Sequence, residues 1–391
     1  MSDQIFTFTE RPYFYKTYCG VAYLGDAHEY LCEIPDNSVD LIMTSPPFAL
    51  RRKKEYGNVS ADEYIEWFMP FATEFYRVLK PEGSFVVDIG GSWNPGEPTR
   101  SLYHYELLIA LCRRLYFHLA QEFFWYNPAR LPTPAEWVTV RRIRVKDAVN
   151  TVWWLSKTPH PKANNRKILR EYSDSMRELL VRGYKAKLRP SGHDISDKFQ
   201  RDNGGAIPPN LIELSNTESN SYYLTACRQA DIKPHPARFP AALPEFFIKF
   251  LTDPGDLVVD PFGGSNTTGE AAEGLQRHWI TFELVPEYLE GSKFRFPELQ
   301  QTLTLWAGAT LERPAEYIVD PQHELVDATE DFSEEELFQV IQEEGTINSQ
   351  ETLDIASLRG SAGSLNKPLS WEQIEQTAHE DHLEKQNKTD Q

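Results

Sequence analysis

One stretch, DLVVDPFGGSNTTGEAAEGLQRHWITFEL from Asp256 to Leu284, allows few folds. An apolar run reads as a strand and ends in Asp260. A glycine-rich turn follows, TTGEAAEGLQR reads as a helix, and HWITFEL reads as a second strand carrying Glu283, 23 residues after Asp260. Strand, turn, helix and strand in that order make one unit of a parallel α/β sheet. Glycines after a strand let backbone pass close to a ligand, and an acid at the next strand end can accept hydrogen bonds from ribose hydroxyls. The turn PFGGSNT is not GxGxxG and lacks the Lys of a P-loop, so phosphate binding is poorly supported. An acid beside the turn repels phosphates but attracts the cationic amino-acid end of a sulfonium nucleoside, which favours S-adenosylmethionine over NAD or ATP. The plainer alternative is a structural glycine turn with an incidental acid on the next strand.

The same alternation runs through residues 20–125. VAYLGD, VDLIMTS and SFVVDIG read as strands, AHEYLCEI as a short helix, PDNS and KPEG as turns. SADEYIEWFMPFATEFYRVL reads as a helix opened by a Ser60 cap, and LLIALCRRLYF and AQEFFWYN continue the rhythm. Strands alternating with helices of this length predict an α/β fold with a parallel, doubly wound sheet. Residues 126–233 differ: they are basic, rich in Pro, Asn and Ser, and weakly periodic, with NPARLPTP, KTPHPKANN and NGGAIPPN reading as extended loops. They are expected to be an inserted recognition region. From 234 the α/β pattern returns with LPEFFIKFL as an amphipathic helix. Beyond 300 the chain is polar and acidic; SEEELFQVIQEE and SWEQIEQTAHED read as helices, the second capped by Ser370.

Charge needs the same division. The net charge of -18 looks wrong for a polyanion binder, but residues 301–391 hold 20 acidic against 5 basic residues, and 141–201 hold 16 basic against 6 acidic. The global figure is set by the tail and hides a basic segment, which is either a solvated face or a polyanion contact. The 4 cysteines, Cys19, Cys32, Cys112 and Cys227, form no CxxC pair; reduced thiols are expected and a structural zinc site is not. MSDQIFTFTERPYFYKTY lacks a basic region followed by an apolar run, so no signal peptide is expected. No apolar run approaches the length of about 18 residues that spans a bilayer, and the expected location is cytoplasmic.

VDLIMTSPPF places a polar tetrad at the C-terminal end of a buried strand, the edge that faces the ligand crevice in doubly wound sheets. Consecutive prolines fix φ and leave their carbonyls free to accept. Ser45 adds a hydroxyl and Phe48 a flat apolar face. The set suits a planar ring carrying an exocyclic amino group: Phe48 stacks on the ring, while Ser45 and the Pro46 carbonyl accept the amino hydrogens. The plainer alternative is a proline turn with a core Phe.

TSPPF together with DPFGGSNTTG resembles the amino-group DNA methyltransferases that use S-adenosylmethionine. Their tetrad is (D/N/S)-PP-(Y/F/W), the Ser form typical of cytosine-N4 enzymes and the Asp form of adenine-N6 enzymes. Catalytic motif first, variable basic region second and cofactor motif third is the permuted, beta-class order, and the pattern is most similar to PvuII-type cytosine-N4 enzymes, over roughly residues 15–300. The resemblance implies an α/β, Rossmann-like, seven-stranded mixed sheet, circularly permuted, with an inserted DNA-recognition region. Residues 15–125 and 234–300 would form the catalytic domain, 126–233 the recognition region, and 301–391 a tail that is partly disordered or helical. It implies Ser45, Pro46, Pro47 and Phe48 as catalytic residues. For the cofactor it implies Asp26 near the adenine, then Thr44, His235, Phe239, Asp260, Pro261, Phe262, Gly263, Gly264, Ser265, Thr267 and Glu283. The cofactor would be S-adenosylmethionine, leaving as S-adenosylhomocysteine, with no metal. The partner would be double-stranded DNA with its target base flipped out, alongside a cognate restriction endonuclease, and the enzyme a monomer or dimer. The 141–201 segment would contact phosphates, and Trp153-Trp154 reads as core rather than a base platform. A cytosine-C5 route needs a Pro-Cys pair, which the chain lacks. The rivals are adenine-N6 methylation, against which Ser45 argues, and a non-catalytic nucleic-acid-binding module on the same fold. RNA or protein amide methylation would show Asn-Pro-Pro, which is absent.

Overall fold

Strand β3 (Val39–Thr44) is buried at all six positions, as an apolar run must be when helices cover both faces of its sheet. The computed structural model describes residues 7–49, 59–94, 96–183, 201–217, 221–297 and 299. All belong to a compact unit, Met1–Glu324; a second unit, Leu325–Gln391, lies outside them, as do the acidic tail with its two expected helices and residues 184–200 of the basic segment.

The remaining strands are β1 (Tyr15–Lys16), β2 (Gly20–Leu24), β4 (Leu79–Ile89), β5 (His118–Tyr126), β6 (Val149–Ser156), β7 (Leu211–Glu213), β8 (Leu257–Asp260) and β9 (His278–Glu283). The helices are α1 (Ala27–Leu31), α2 (Tyr64–Val78), α3 (Tyr103–Arg114), α4 (Asp174–Arg182), α5 (Tyr222–Gln229), α6 (Ala242–Leu251), α7 (Thr267–Gly274) and α8 (Pro286–Ser292). The sheet order is β1-β2-β9-β8-β3-β4-β6-β5-β7. Seven strands form its body; β1 and β7, of two and three residues, extend its edges. From β2 to β4 the neighbours are parallel. Beyond β4, β6 runs antiparallel to both β4 and β5, so the sheet is mixed rather than wholly parallel.

The expected recognition region also contains a sheet strand that its loop-like composition did not announce. Residues 149–156 inside it form β6, seated between β4 and β5. Alternation along that strand sends Trp153 to one face and Trp154 to the other. Each joins a different core, one shared with α1, α2 and α3 and one with α6, α7 and α8. The tandem tryptophans are therefore core, and Trp154 Nε1 donates to Ser84 Oγ at 2.8 Å. Their basic neighbours are partly committed inside the fold: Lys162 pairs with Asp253 and Asp256, and Lys167 pairs with Asp253. KPEG does not end a strand. The pairing jumps from Val39↔Leu79 to Leu41↔Ser84, so these residues bulge out within β4.

Helix α2 begins at Tyr64 rather than near Ser60; the Ser60 hydroxyl binds Glu63 Oε2, at 2.8 Å. Its buried residues Tyr64, Phe68, Phe71, Ala72, Phe75 and Val78 recur at helical spacing and carry the aromatic load of that core. Among the described residues no helix is long and apolar enough to cross a membrane.

Candidate active site

Because β3 lies between β4 and β8, the C-terminal ends of strands from both halves of the chain meet at one sheet edge. Asp260 closes β8 and is 3% exposed. Its carboxylate accepts the hydroxyls of Thr44 and Thr268, both at 2.6 Å, and the Phe262 amide at 3.1 Å. Burial pushes its pKa up to about 6, against the pull of those donors. One carboxylate thereby ties β3, the turn after β8 and the first turn of α7.

The turn itself is shaped by close approach. A Cβ on Gly263 would fall 1.9 Å from Thr281 Oγ1, and Gly264 takes a left-handed φ of +52 under the His235 ring. The Gly264 amide donates to Glu283 Oε2 at 2.8 Å, and the Val285 amide to Glu283 Oε1 at 2.9 Å. Burial raises the Glu283 pKa, opposed by these amides. Asn266 caps α7 by accepting from the Gly269 amide at 3.0 Å. Buried Arg295 donates to the Ser265 carbonyl at 2.7 Å.

At the end of β3, Ser45 Oγ donates to Asp88 Oδ2 at 3.1 Å. Asp88, near the end of β4, is 2% exposed, and burial pushes its pKa up to about 6. Asn150 Nδ2, at the start of β6, donates to Asp88 Oδ1 at 3.2 Å, and Arg130 Nη1 donates to Asn150 Oδ1 at 2.8 Å. The chain Ser45–Asp88–Asn150–Arg130 therefore joins a hydroxyl to a buried carboxylate of raised basicity. The Pro47 carbonyl accepts the Tyr64 hydroxyl at 2.9 Å, fixing the tetrad to α2. Phe48 packs over Gly90, where a Cβ would lie 2.5 Å from its ring.

These groups line one cavity of about 550 Å³. Of the residues expected from sequence, Asp26, Ser45, Pro46, Pro47, Phe48, His235, Phe239, Asp260, Pro261, Phe262, Gly263, Gly264, Ser265, Thr267 and Glu283 all lie on its wall. Thr44 does not. It is fully buried, because its hydroxyl is spent on Asp260, and it supports the site from beneath. Asp26 also caps α1, accepting from the His28 amide at 2.8 Å. His235 sits edge-on to Tyr288, with ring centroids 4.6 Å apart.

Sequence reading missed Trp67 and Phe71 of α2, together with Asp88, Asn127, Arg130 and Asn150. Trp67 and Phe71 face Phe262, with centroids 5.9 and 5.2 Å from it, and make an aromatic wall. Asp88 carried a readable signal: it breaks the apolar run SFVVDIG near its end, as Asp260 does in LVVD. Asn150 and Arg130 carried none, since their place depends on an antiparallel strand. The wall combines an aromatic face, glycines that admit close approach, and carboxylates at positions 26, 260 and 283, which suits a nucleoside bearing positive charge better than a phosphate ester. Among the described residues no cluster of three or more His, Cys, Asp or Glu is placed to hold a metal ion.

Residues 39–294 match the family described as DNA methylase. The chain is 55% identical over 298 residues to Type II methyltransferase M.PvuII of Proteus hauseri, covering 75% of this chain and 88% of that protein. It is 27% identical to DNA adenine methyltransferase YhdJ of Escherichia coli (strain K12), over 68% of this chain and 79% of that one. Among solved structures, PvuII DNA methyltransferase (cytosine-N4-specific) aligns with a TM-score of 0.61 at 49% identity, covering 73% of this chain and 89% of that chain.

Proposed function

Because this chain belongs to the DNA methylase family, we propose that it methylates the N4 amino group of cytosine in double-stranded DNA, with S-adenosylmethionine as donor. The observation that carries the reading is Ser45 hydrogen-bonded to buried Asp88 on the wall of the cavity that Glu283 and the glycine turn also line. Bound S-adenosylmethionine supplies an electrophilic methyl group on a sulfonium centre. Glu283, oriented by two backbone amides, would accept its ribose hydroxyls. Asp26 and the Trp67–Phe71–Phe262 wall would take the adenine, and His235, Phe239 and the 261–267 turn would line the amino-acid end.

The target base must leave the duplex to reach this edge, and Phe48 offers it a stacking face. Ser45 Oγ and the Pro46 carbonyl accept the two amino hydrogens and draw the nitrogen lone pair out of conjugation. After methyl transfer the nitrogen is cationic and acidic. Its proton passes to Ser45 Oγ as the serine proton moves to Asp88, which has the raised basicity to receive it. All of these groups come from one chain, so a monomer suffices. The described loops of 126–233 would read the site, a companion endonuclease would attack the same site unmodified, and the protein would work in the cytoplasm.

Cytosine is preferred to adenine because Ser45 stands where the adenine-type tetrad has Asp, and because identity is 55% to M.PvuII against 27% to the adenine enzyme. Mass spectrometry of nucleosides from DNA of expressing cells should show N4-methylcytosine; N6-methyladenine in its place would overturn the reading. Gly90→Ala provides a finer check. The added Cβ displaces the Phe48 ring, so the KM for DNA should rise about 10-fold, a loss of roughly 1.4 kcal/mol, with S-adenosylmethionine affinity unchanged in a titration. An unchanged KM would remove Phe48 from base binding.

A further inference from the structure

Strands β5 and β6 are joined by a long hairpin loop, closed by the Tyr126↔Val149 pair and the Asn127 N–H to Ala148 carbonyl bond at 2.9 Å. Since β6 runs antiparallel to β4, with Thr151 opposite Ile89, this loop rises from the same sheet edge as Asp88. Asn127 and Arg130 at its base line the active-site cavity.

The loop is built, not slack. Trp137 is buried, and its carbonyl accepts the amides of Ile143 and Arg144 at 2.9 and 3.2 Å. Arg141 lies over the Trp137 ring at 4.6 Å and pairs with Glu136 at 3.0 Å. Asp147 pairs with both Arg100 and Arg144, at 3.0 and 3.3 Å, and Lys146 donates to the Pro128 and Arg130 carbonyls at 3.0 and 3.1 Å. With Arg144 and Lys146 turned back onto the loop base, the alternate residues go outward: Ile143 is 60% and Val145 84% exposed, with Val140 at 63%. Three aliphatic side chains are thus held in water by an ordered frame, amid five basic and two acidic residues from Asn127 to Ala148.

Building on the DNA-methylating reading above, we propose that Ile143 and Val145 form the wedge that enters the DNA stack at the target base, with the exposed cations Arg141 and Arg142 on the flanking phosphates. Charge complementarity selects DNA as the occupant, since the loop carries five basic against two acidic residues and a purely apolar partner surface would not need the exposed Arg141 and Arg142 near these aliphatics. An apolar wedge inserted between base steps unstacks them, and a base that leaves the duplex must be unpaired and unstacked. The wedge belongs to the loop whose base residues Asn127 and Arg130 line the cavity that receives the target cytosine.

The test compares full-length wild type with Ile143→Ala/Val145→Ala on two duplexes carrying the modified site read from cellular DNA. In one the target cytosine is paired; in the other it faces an abasic site, so it is already unpaired. The double variant should lose about 10-fold or more in kcat/KM on the paired duplex and less than about threefold on the abasic one. Ile143→Leu/Val145→Leu, which keeps apolar bulk, should retain most activity on both. Equal losses on the two duplexes, or none on either, would overturn the wedge. A changed oligomeric state with unchanged activity would also overturn it and mark the patch as a protein-docking face. If wild type modified no cytosine, the functional reading would fail before the variants were compared.

Discussion

Ser45→Ala lowers kcat by about 10²–10³-fold, the cost of removing one preorganised hydrogen-bond partner of a developing charge, with S-adenosylmethionine affinity retained. Asp88→Asn matches or exceeds that loss, and its pH profile identifies the role. Asp88 must be ionised to receive the proton, and burial pushes its pKa up to about 6. Wild-type kcat therefore falls about tenfold per unit as pH drops below about 6, and Asp88→Asn lacks this acid limb. Stability moves the other way. The folded pKa lies above the ordinary carboxylate value of 3.8, so the fold favours the protonated form. Its stabilising contribution is complete below about pH 4 and is lost as pH rises through about 6. A shift of that size corresponds to roughly 3 kcal/mol at pH 8, so Asp88→Asn should melt above wild type there while being nearly inactive. A variant that lost both activity and melting temperature, with the acid limb intact, would make Asp88 a structural residue only.

Asp260→Ala produces the largest loss of cofactor binding. It strands the Thr44 and Thr268 hydroxyls and the Phe262 amide in a buried site. Each orphaned donor costs about 1–3 kcal/mol, partly offset by removing a poorly solvated carboxylate. The net destabilisation should be about 2–4 kcal/mol, read as a lower urea midpoint. With the turn unanchored, S-adenosylmethionine affinity should fall at least about 100-fold. Asp260→Asn keeps an acceptor and removes the charge, so its stability at pH 8 should stay near wild type. Cofactor affinity within threefold of wild type in the alanine variant would show that the turn holds its shape without this carboxylate.

These variants probe contacts that differ in how far they could be read from residues alone. Asp260, the glycines and Glu283 could be placed at the sheet edge because each sits where an apolar run stops. Ser45 to Phe48 were legible for the same reason. Asp88 had that signal too, but its partner could not be named, since Ser45 is 43 residues away. Thr44 was expected in the cofactor set, and residue type alone does not show whether a strand-end hydroxyl points to the cavity or, as here, to a carboxylate 216 residues away. Residues 149–156 were hidden because their surroundings are loop-like in composition, while the strand itself inserts between two strands from earlier in the chain.

The sequence by itself determined local units such as β2, β3, β8 and β9, where those strands end, and which polar groups stand at those ends. Period and punctuation are properties of neighbours along the chain. Only the tertiary structure decided what those ends do to one another. The order that places β3 between β4 and β8, and β6 antiparallel beyond β4, turns separate motifs into one cavity. It gives Ser45 a buried carboxylate partner and puts the base of a basic loop with exposed aliphatics on the cavity wall. Each of these depends on pairing between strands remote in sequence, and burial, which raises the basicity of Asp88 and Asp260, exists only once those strands are packed together.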